Sequence, residues 1–159
     1  MTRKILYLLI GPKGAGKTYI GTLVDQRTEI RFLRVEPIWL GLQPGEDGWQ
    51  KVEQTIAAMF EHHDQVMIES LGAGDAFTQF RASLARKYTL KLIRVYAELD
   101  TCLTRVKTRS SADHIPVSDH QVEYYNKIAA AVIYDWDLEI NNQSPASDEA
   151  ILAAIQTLV

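Results

Sequence analysis

The fold is decided by residues 4–18, which read Lys-Ile-Leu-Tyr-Leu-Leu-Ile-Gly-Pro-Lys-Gly-Ala-Gly-Lys-Thr. The apolar run Ile5–Ile10 has the continuous hydrophobicity of a strand buried in a parallel sheet. Beyond the glycines, Ile20, Leu23 and Val24 recur at helical spacing. The stretch therefore predicts a buried strand, a glycine-rich turn and a helix in direct succession.

The turn has the pattern G-x-x-x-x-G-K-[ST] from Gly11 to Thr18, which is the phosphate-binding loop or P-loop. Its glycines let backbone amides point inward, and the start of the next helix adds unpaired N–H groups and a positive dipole end. Lys17 is expected to reach the β- and γ-phosphates of a nucleotide, and the Thr18 hydroxyl to ligate Mg²⁺. The residues of this stretch that are predicted to bind the nucleotide are Gly11, Pro12, Lys13, Gly14, Ala15, Gly16, Lys17, Thr18 and Tyr19.

Further along the chain, apolar and β-branched runs alternate with segments of helical spacing. Additional strands are expected at residues 30–35, 66–68, 90–96 and 137–140. This alternation predicts an α/β three-layer sandwich with a five-stranded, mainly parallel sheet and right-handed crossovers, the arrangement of a P-loop NTPase. Ligands in such sheets bind at the carboxyl ends of the strands.

Polar residues mark the starts of several predicted helices. Asp75 is expected to cap one helix, and Ser147 to cap the last one. Ser118 and Gln121 have the spacing of a capping box, for a helix predicted to extend to about Tyr134.

The overall composition is that of one water-soluble domain. We predict a single domain over residues 1–159, with 47% hydrophobic and 23% charged residues. The longest apolar run, Leu6–Ile10, is too short to cross a bilayer, and it leads into the P-loop instead of a signal-cleavage site. Together with the single Cys102, these features predict a cytoplasmic protein without a membrane partner.

The net charge of −3 disfavours a nucleic-acid partner. The charge is uneven, because basic residues concentrate between Arg81 and Arg109, and this is compatible with a local anion site. Within that stretch, Arg105 and Arg109 are four residues apart and lie on one face of a predicted helix. By themselves they are typical of a solvated basic face.

Two acids follow predicted strands at the edge where the P-loop lies. Glu36 comes after the second strand, which Pro37 should end, and Glu69 comes after the third. For a hydroxyl acceptor either carboxylate could take the proton; we favour Glu36 on the acceptor side and Glu69 on the metal side. For a phosphate acceptor no base is needed, and Arg81 or Arg34 could supply the extra arginine.

Trp39, Leu40 and Leu42 precede a Pro-Gly turn, and the sequence allows two interpretations of them. They could cap the hydrophobic core, which we favour, or line an acceptor pocket.

The order of motifs and predicted elements along the chain resembles that of the small P-loop kinases. This group includes adenylate, shikimate and gluconate kinases, polynucleotide kinase and the zeta-toxin-like kinases. Residues 11–18 match their loop, and residues 99–109, followed by 114–118, are similar to their arginine-bearing lid. The resemblance implies a short lid around 105–118, with Arg105 against the adenine and phosphates and Arg109 near the transferring phosphoryl group. Residues 138–142 are similar to the last strand and adenine-side loop of the family.

The chain also departs from parts of that family. Shikimate kinases place a glycine triplet after the third strand, where this chain has Leu71-Gly72-Ala73-Gly74. The third strand ends in Glu69, where many P-loop proteins carry Asp. The identity of an acceptor therefore does not carry over from the resemblance.

The motif and the resemblance together predict an enzyme, an ATP-dependent phosphotransferase with ATP and Mg²⁺ as cofactors. The acceptor would be a small molecule, a nucleoside or a nucleotide. The sequence specifies neither the identity of the acceptor nor the oligomeric state. One alternative is a nucleotide-binding regulatory module with little kinase activity, and another is an enzyme similar to 5′-hydroxyl polynucleotide kinases. The predicted catalytic residues are Lys17, Arg105, Arg109, Glu36 and Glu69, and the predicted metal-binding residues are Thr18 and Glu69.

Overall fold

A computed structural model of the protein describes residues 3–108 and 117–159. The strands in these ranges are β1 (Ile5–Ile10), β2 (Arg31–Leu33), β3 (Gln65–Ser70), β4 (Thr89–Tyr96) and β5 (Leu138–Asn141). The helices are α1 (Lys17–Arg27), α2 (Glu36–Leu40), α3 (Gly48–Phe60), α4 (Asp75–Lys87), α5 (Leu99–Thr108), α6 (Asp119–Ala130) and α7 (Asp148–Gln156). No helix within the described ranges is long and apolar enough to cross a membrane.

The strands form one five-stranded sheet in the order β2-β3-β1-β4-β5. Each pair of neighbours is parallel, so the predicted mainly parallel sheet is confirmed and is parallel throughout the described residues. The central strand β1 ends at Ile10, which lies opposite Ser70 of β3 and Arg94 of β4. The P-loop therefore leaves the sheet at the level where β3 ends, one residue beyond Glu69.

Side chains of β1 alternate between two buried layers, which confirms the three-layer sandwich. Tyr7 and Leu9 pack with residues of α1 and α7, whereas Leu6, Leu8 and Ile10 pack with residues of α3 and α4. All five of these side chains are almost inaccessible to solvent. A strand buried on both faces explains the continuous apolar run of the sequence.

The second strand is shorter than predicted, and this changes the position of Glu36. At the edge of the sheet, β2 pairs only with β3, over Arg31–Leu33. Glu36 is not at a strand end but is the first residue of α2. The extended segment ends at Leu33, before Pro37, so the prediction that Pro37 ends this strand is wrong. Pro37 instead fits the first turn of α2, where its missing N–H leaves no hydrogen bond unmade.

Helix boundaries match the sequence in some places and differ in others. The capping box of Ser118 and Gln121 and the cap by Ser147 are confirmed. Asp75 is not a cap but lies in the first turn of α4, where its charge complements the helix dipole. The helix predicted to reach Tyr134 ends at Ala130, and the Tyr134 hydroxyl instead donates a hydrogen bond to the carbonyl of Gly72 at 2.6 Å.

Candidate functional site

The P-loop has the backbone conformation that its glycines allow. Gly14 and Gly16 have φ angles of 82° and 99°, in the left-handed region where a side chain is strained. A Cβ atom at Gly14 would lie 2.5 Å from the Cys102 carbonyl oxygen, and one at Gly16 would lie 2.2 Å from Nδ2 of Asn142. Gly16 is the N-cap of α1 and, among the described residues, no side chain hydrogen-bonds there as a cap. The first amides of α1 thus remain available for an anion.

Lys17 lies within this loop. Its Nζ donates hydrogen bonds to the carbonyl oxygens of Gly11 and Pro12, the second at 3.3 Å. Desolvation inside the loop lowers the pKa of Lys17 to about 8, and the nearby Glu69 carboxylate opposes that shift. A phosphate bound at the loop would add negative charge next to this ammonium and favour its protonated form.

Thr18 and Glu69, the predicted metal-binding residues, are in direct contact. The Thr18 hydroxyl donates to Oε2 of Glu69 at 2.9 Å, and Glu69 is only 4% exposed. The other carboxylate oxygen, Oε1, has no hydrogen-bond partner within residues 3–108 and 117–159. A hydroxyl oxygen beside an incompletely bonded, buried carboxylate is a donor set that suits Mg²⁺.

The described residues contain no group of three or more His, Cys, Asp and Glu side chains that could hold a metal. A magnesium ion at Thr18 and Glu69 would therefore take its remaining ligands from phosphate oxygens and water, which is the usual mode for this ion.

Arg105 and Asn142 support the loop from the side of β4 and β5. The Arg105 guanidinium donates to the carbonyls of Gly14 and Ala15, each at 3.3 Å, and to that of Asn142 at 2.7 Å. The Asn142 side-chain amide donates to the Ala15 carbonyl at 2.8 Å. Sequence reasoning gave Asn142 itself no role, and the available signal was its place in residues 138–142, the segment similar to the last strand and adenine-side loop of the family.

Helix α5 thus positions Arg105 beside the P-loop, and its role against the adenine and phosphates, which the resemblance implies, stays a prediction. Arg105 belongs to the regular part of α5, so the predicted lid begins within a helix. Arg109 and most of the predicted lid lie outside the described residues, and their roles stay predictions.

Glu36 lies on the other side of the loop. It is buried, and its Oε2 is 3.7 Å from Nζ of Lys13. Although α2 was not predicted, both predicted acids, Glu36 and Glu69, line the same cavity as the P-loop.

That cavity has a volume of about 420 Å³. P-loop residues form one side, and the other side is largely apolar: Val35, Trp39, Trp49, Val52, Ile68, Leu71, Ala73 and Phe80. Trp39 therefore lines the pocket, which was the less favoured interpretation of the sequence. The described lining residues include neither Arg34 nor Arg81, and Arg81 instead stacks over the ring of Tyr134 at 4.4 Å.

The loop, the strand order and the position of the cavity give the chain the α/β fold of the P-loop kinases. Among solved structures, it superimposes on a putative kinase from Chloroflexus aurantiacus j-10-fl with a TM-score of 0.72 and 18% identity, over 99% of this chain and 97% of the other. It superimposes on Mycobacterium tuberculosis APS kinase, in complex with AMPPNP and APS, with a TM-score of 0.67 and 13% identity, over 99% of both chains. The predicted fold class is confirmed.

The sequence comparison points to the same group. The chain is 28% identical over 121 residues to a shikimate kinase of Marinomonas sp. (strain MWYL1), which covers 69% of this chain and 64% of that protein. No protein family model matches the chain. The predicted resemblance to small P-loop kinases is confirmed, and the chain spans just under two thirds of the curated relative's length.

Proposed function

We propose that this protein is a phosphotransferase that moves the γ-phosphoryl group of Mg-ATP to a hydroxyl group of a small acceptor. The observation that supports this proposal is the composition of the cavity of about 420 Å³ at the P-loop. It combines an anion-binding loop, a hydroxyl–carboxylate pair suited to Mg²⁺, and a second buried carboxylate on the side away from Arg105.

The nucleotide phosphates would bind to the inward-pointing amides of the loop and to the start of α1. Lys17 would neutralise charge on the β- and γ-phosphates. Arg105 donates hydrogen bonds to the carbonyls of Gly14 and Ala15 and would thereby keep the phosphate-binding amides of the loop in position. Transfer then depends mainly on positioning and charge neutralisation.

Thr18 and Glu69 would hold Mg²⁺. When bound, the ion neutralises charge on the phosphoryl oxygens. The Thr18–Glu69 hydrogen bond keeps both oxygens on the same side of the loop before any ion arrives.

Glu36 is the proposed general base. The acceptor oxygen forms a bond to the γ-phosphorus, the bond from that phosphorus to the β–γ bridging oxygen breaks, and ADP leaves. The acceptor's proton passes to the Glu36 carboxylate. The Nζ atom of Lys13 lies 3.7 Å from Oε2 of Glu36 and balances the negative charge of this carboxylate before the proton is transferred.

A transfer assay across acceptor classes tests the proposal. Purified protein would be given Mg-ATP with nucleosides, nucleotides, small hydroxyl compounds or 5′-hydroxyl oligonucleotides, and both ADP and phosphorylated acceptor would be measured. We expect transfer to one class of small hydroxyl compound, reduced about a hundredfold or more in Lys17→Ala. Lys127→Ala is the matched control, because Lys127 is an exposed lysine on α6 that does not line the cavity.

Two outcomes would contradict the proposal. ATP binding without transfer to any acceptor would favour the regulatory module. Transfer confined to oligonucleotides would favour the polynucleotide kinase-like alternative.

A further inference from the structure

The cavity is asymmetric about the P-loop. On the β4–β5 side, Arg105 and Asn142 make hydrogen bonds to loop carbonyls and close against the loop. On the β3–β2 side, the cavity extends between α2, α3 and α4. A nucleotide whose phosphates occupy the loop therefore leaves the second region for the acceptor, beside Glu36.

Aromatic side chains form the wall of this acceptor region. The ring of Trp49 lies 5.4 Å from that of Trp39, nearly perpendicular at 81°, and 4.9 Å from that of Phe80. A Cβ atom at Gly48 would come within 2.2 Å of the Trp39 indole, so this indole packs directly on the backbone at the start of α3. The wall is thus held in place by ring packing and offers a fixed apolar surface.

The basic side chains among the described lining residues already have partners. Lys13 faces Glu36, while Lys17 and Arg105 donate to loop carbonyls and lie where the nucleotide phosphates would bind. An acceptor with its own carboxylate or phosphate would need a further arginine or lysine, because an anion buried without a partner is costly. The described part of the cavity offers none on the aromatic side. A cationic acceptor would need a carboxylate, but of the two in the described lining Glu36 already faces Lys13 and Glu69 is the proposed magnesium ligand.

The geometry points to an acceptor that is uncharged and carries an apolar, aromatic ring next to its hydroxyl group. The inference rests on the proposed function, because it assigns the substrate class of the same site. The ring would pack against Trp39 and Trp49, and the hydroxyl would face Glu36. Such a ligand matches a cavity of this size whose walls are mostly apolar with a few polar groups at one end.

Hydroxyl acceptors that differ in charge or lack the ring test this inference. Hydroxymethylbenzamide and hydroxymethylbenzoate share a ring and a hydroxyl group, hydroxymethylbenzylamine adds a cation, and glucose is an uncharged acceptor without a ring. We expect kcat/KM for the neutral aryl alcohol to exceed the other values by about tenfold or more.

Substitutions of aromatic residues then test where the ring of the acceptor binds. Trp39→Ala should raise KM for the neutral aryl alcohol about tenfold while leaving KM for ATP within about twofold. Tyr124→Ala is the matched control, because Tyr124 is an exposed aromatic residue on α6, away from the cavity. Binding of the neutral aryl alcohol, independent of turnover, would be measured by tryptophan fluorescence in a protein that carries Trp136→Phe. This substitution leaves Trp39 and Trp49 as the emitting residues.

The outcomes separate this inference from the proposed function. Preferred transfer to the benzoate, the benzylamine or glucose would overturn the inference and keep the kinase. Binding of the neutral aryl alcohol to the Trp136→Phe protein but not to its Trp39→Ala form, with no transfer to any acceptor, would support the pocket and overturn the kinase. Absence of both ring binding and transfer would overturn both.

Discussion

The positively charged side chain of Lys17 is buried in the P-loop and is therefore desolvated. Desolvation lowers its pKa to about 8, against the opposing effect of Glu69. An anion beside the ammonium favours the charged form and raises its pKa. Nucleotide binding and protonation of Lys17 are therefore linked, and the linkage has a defined sign.

Nucleotide affinity should fall as the pH rises through about 8. Below that pH the free protein already carries the Lys17 proton, so this group gives no pH dependence. Above it the free protein loses a proton that the complex keeps, and affinity falls by up to about tenfold per pH unit. Calorimetric titration with ATP from about pH 7 to about pH 9.5 measures the effect. Lys17→Met should bind weakly with a flat profile, and a wild-type affinity that stays constant or rises would contradict the prediction.

Glu36→Gln should separate the acceptor step from nucleotide binding. The substitution keeps the size of the side chain but removes the proton acceptor, so we expect kcat to fall about a hundredfold or more while ATP affinity is unchanged. Glu46→Gln is the matched control, since Glu46 is an exposed acid paired with Lys51. An unchanged kcat in Glu36→Gln would mean that the acceptor needs no base, as expected of a phosphate acceptor.

At the scale of elements, the P-loop is held by contacts from parts of the chain far away in sequence. Asn142, at the end of β5, donates to the carbonyl of Ala15, 127 residues earlier. Arg105 of α5 connects the same loop to the carbonyl of Asn142. The loop is therefore fixed by the packing of α5 and the segment after β5, and not by its glycines alone.

Asn142→Asp should destabilise the protein and loosen the loop. The substitution replaces a donor amide by a carboxylate beside the Ala15 carbonyl, so the free energy of unfolding should fall by about 2 kcal/mol. Urea denaturation measures this, and ATP affinity should fall in parallel. Asn141→Asp is the matched control, because the side-chain oxygen of exposed Asn141 accepts a hydrogen bond from the backbone N–H of Gln143, and an aspartate oxygen can do the same. Equal effects of the two substitutions would show that the Ala15 contact is unimportant.

These contacts also explain how far the sequence could predict the structure. The P-loop, β1 and β3 follow from apolar runs and glycine spacing, which are local patterns. The segment before Glu36 has the composition of a strand, but only its residues Arg31–Leu33 pair with β3, and pairing is a tertiary property. The helix that begins at Glu36 was therefore missed.

The candidate site was predicted in the same uneven way. Lys17 and Thr18 could be located from the P-loop motif, and Glu69 from the apolar run that precedes it. Trp39 could not be assigned to core or pocket, because its position depends on where α3 packs against its ring. Asn142 could not be chosen among neighbouring polar residues, because the partner of its side chain is distant in sequence.

At the scale of the whole molecule, the site brings together residues from the ends of three strands of the sheet. The P-loop follows the central strand β1, Glu69 lies at the end of β3, and Asn142 follows β5. The same strand β1 contributes to both buried layers. A ligand bound at the loop therefore contacts a segment that follows the strand shared by both buried layers, and its binding should stabilise both layers.

Nucleotide binding should therefore raise the melting temperature of the entire chain in one cooperative transition. At a concentration about one hundred times Kd, a ligand that binds only the folded state adds about 2.7 kcal/mol of stability. For a domain of this length that corresponds to an increase of about 5–10 °C in Tm. Scanning calorimetry with a non-hydrolysable ATP analogue measures it, and the increase should disappear in Lys17→Ala and remain in Lys127→Ala. Two transitions, with only one of them shifted by the nucleotide, would contradict the prediction of a single domain, because one folding unit melts as a whole.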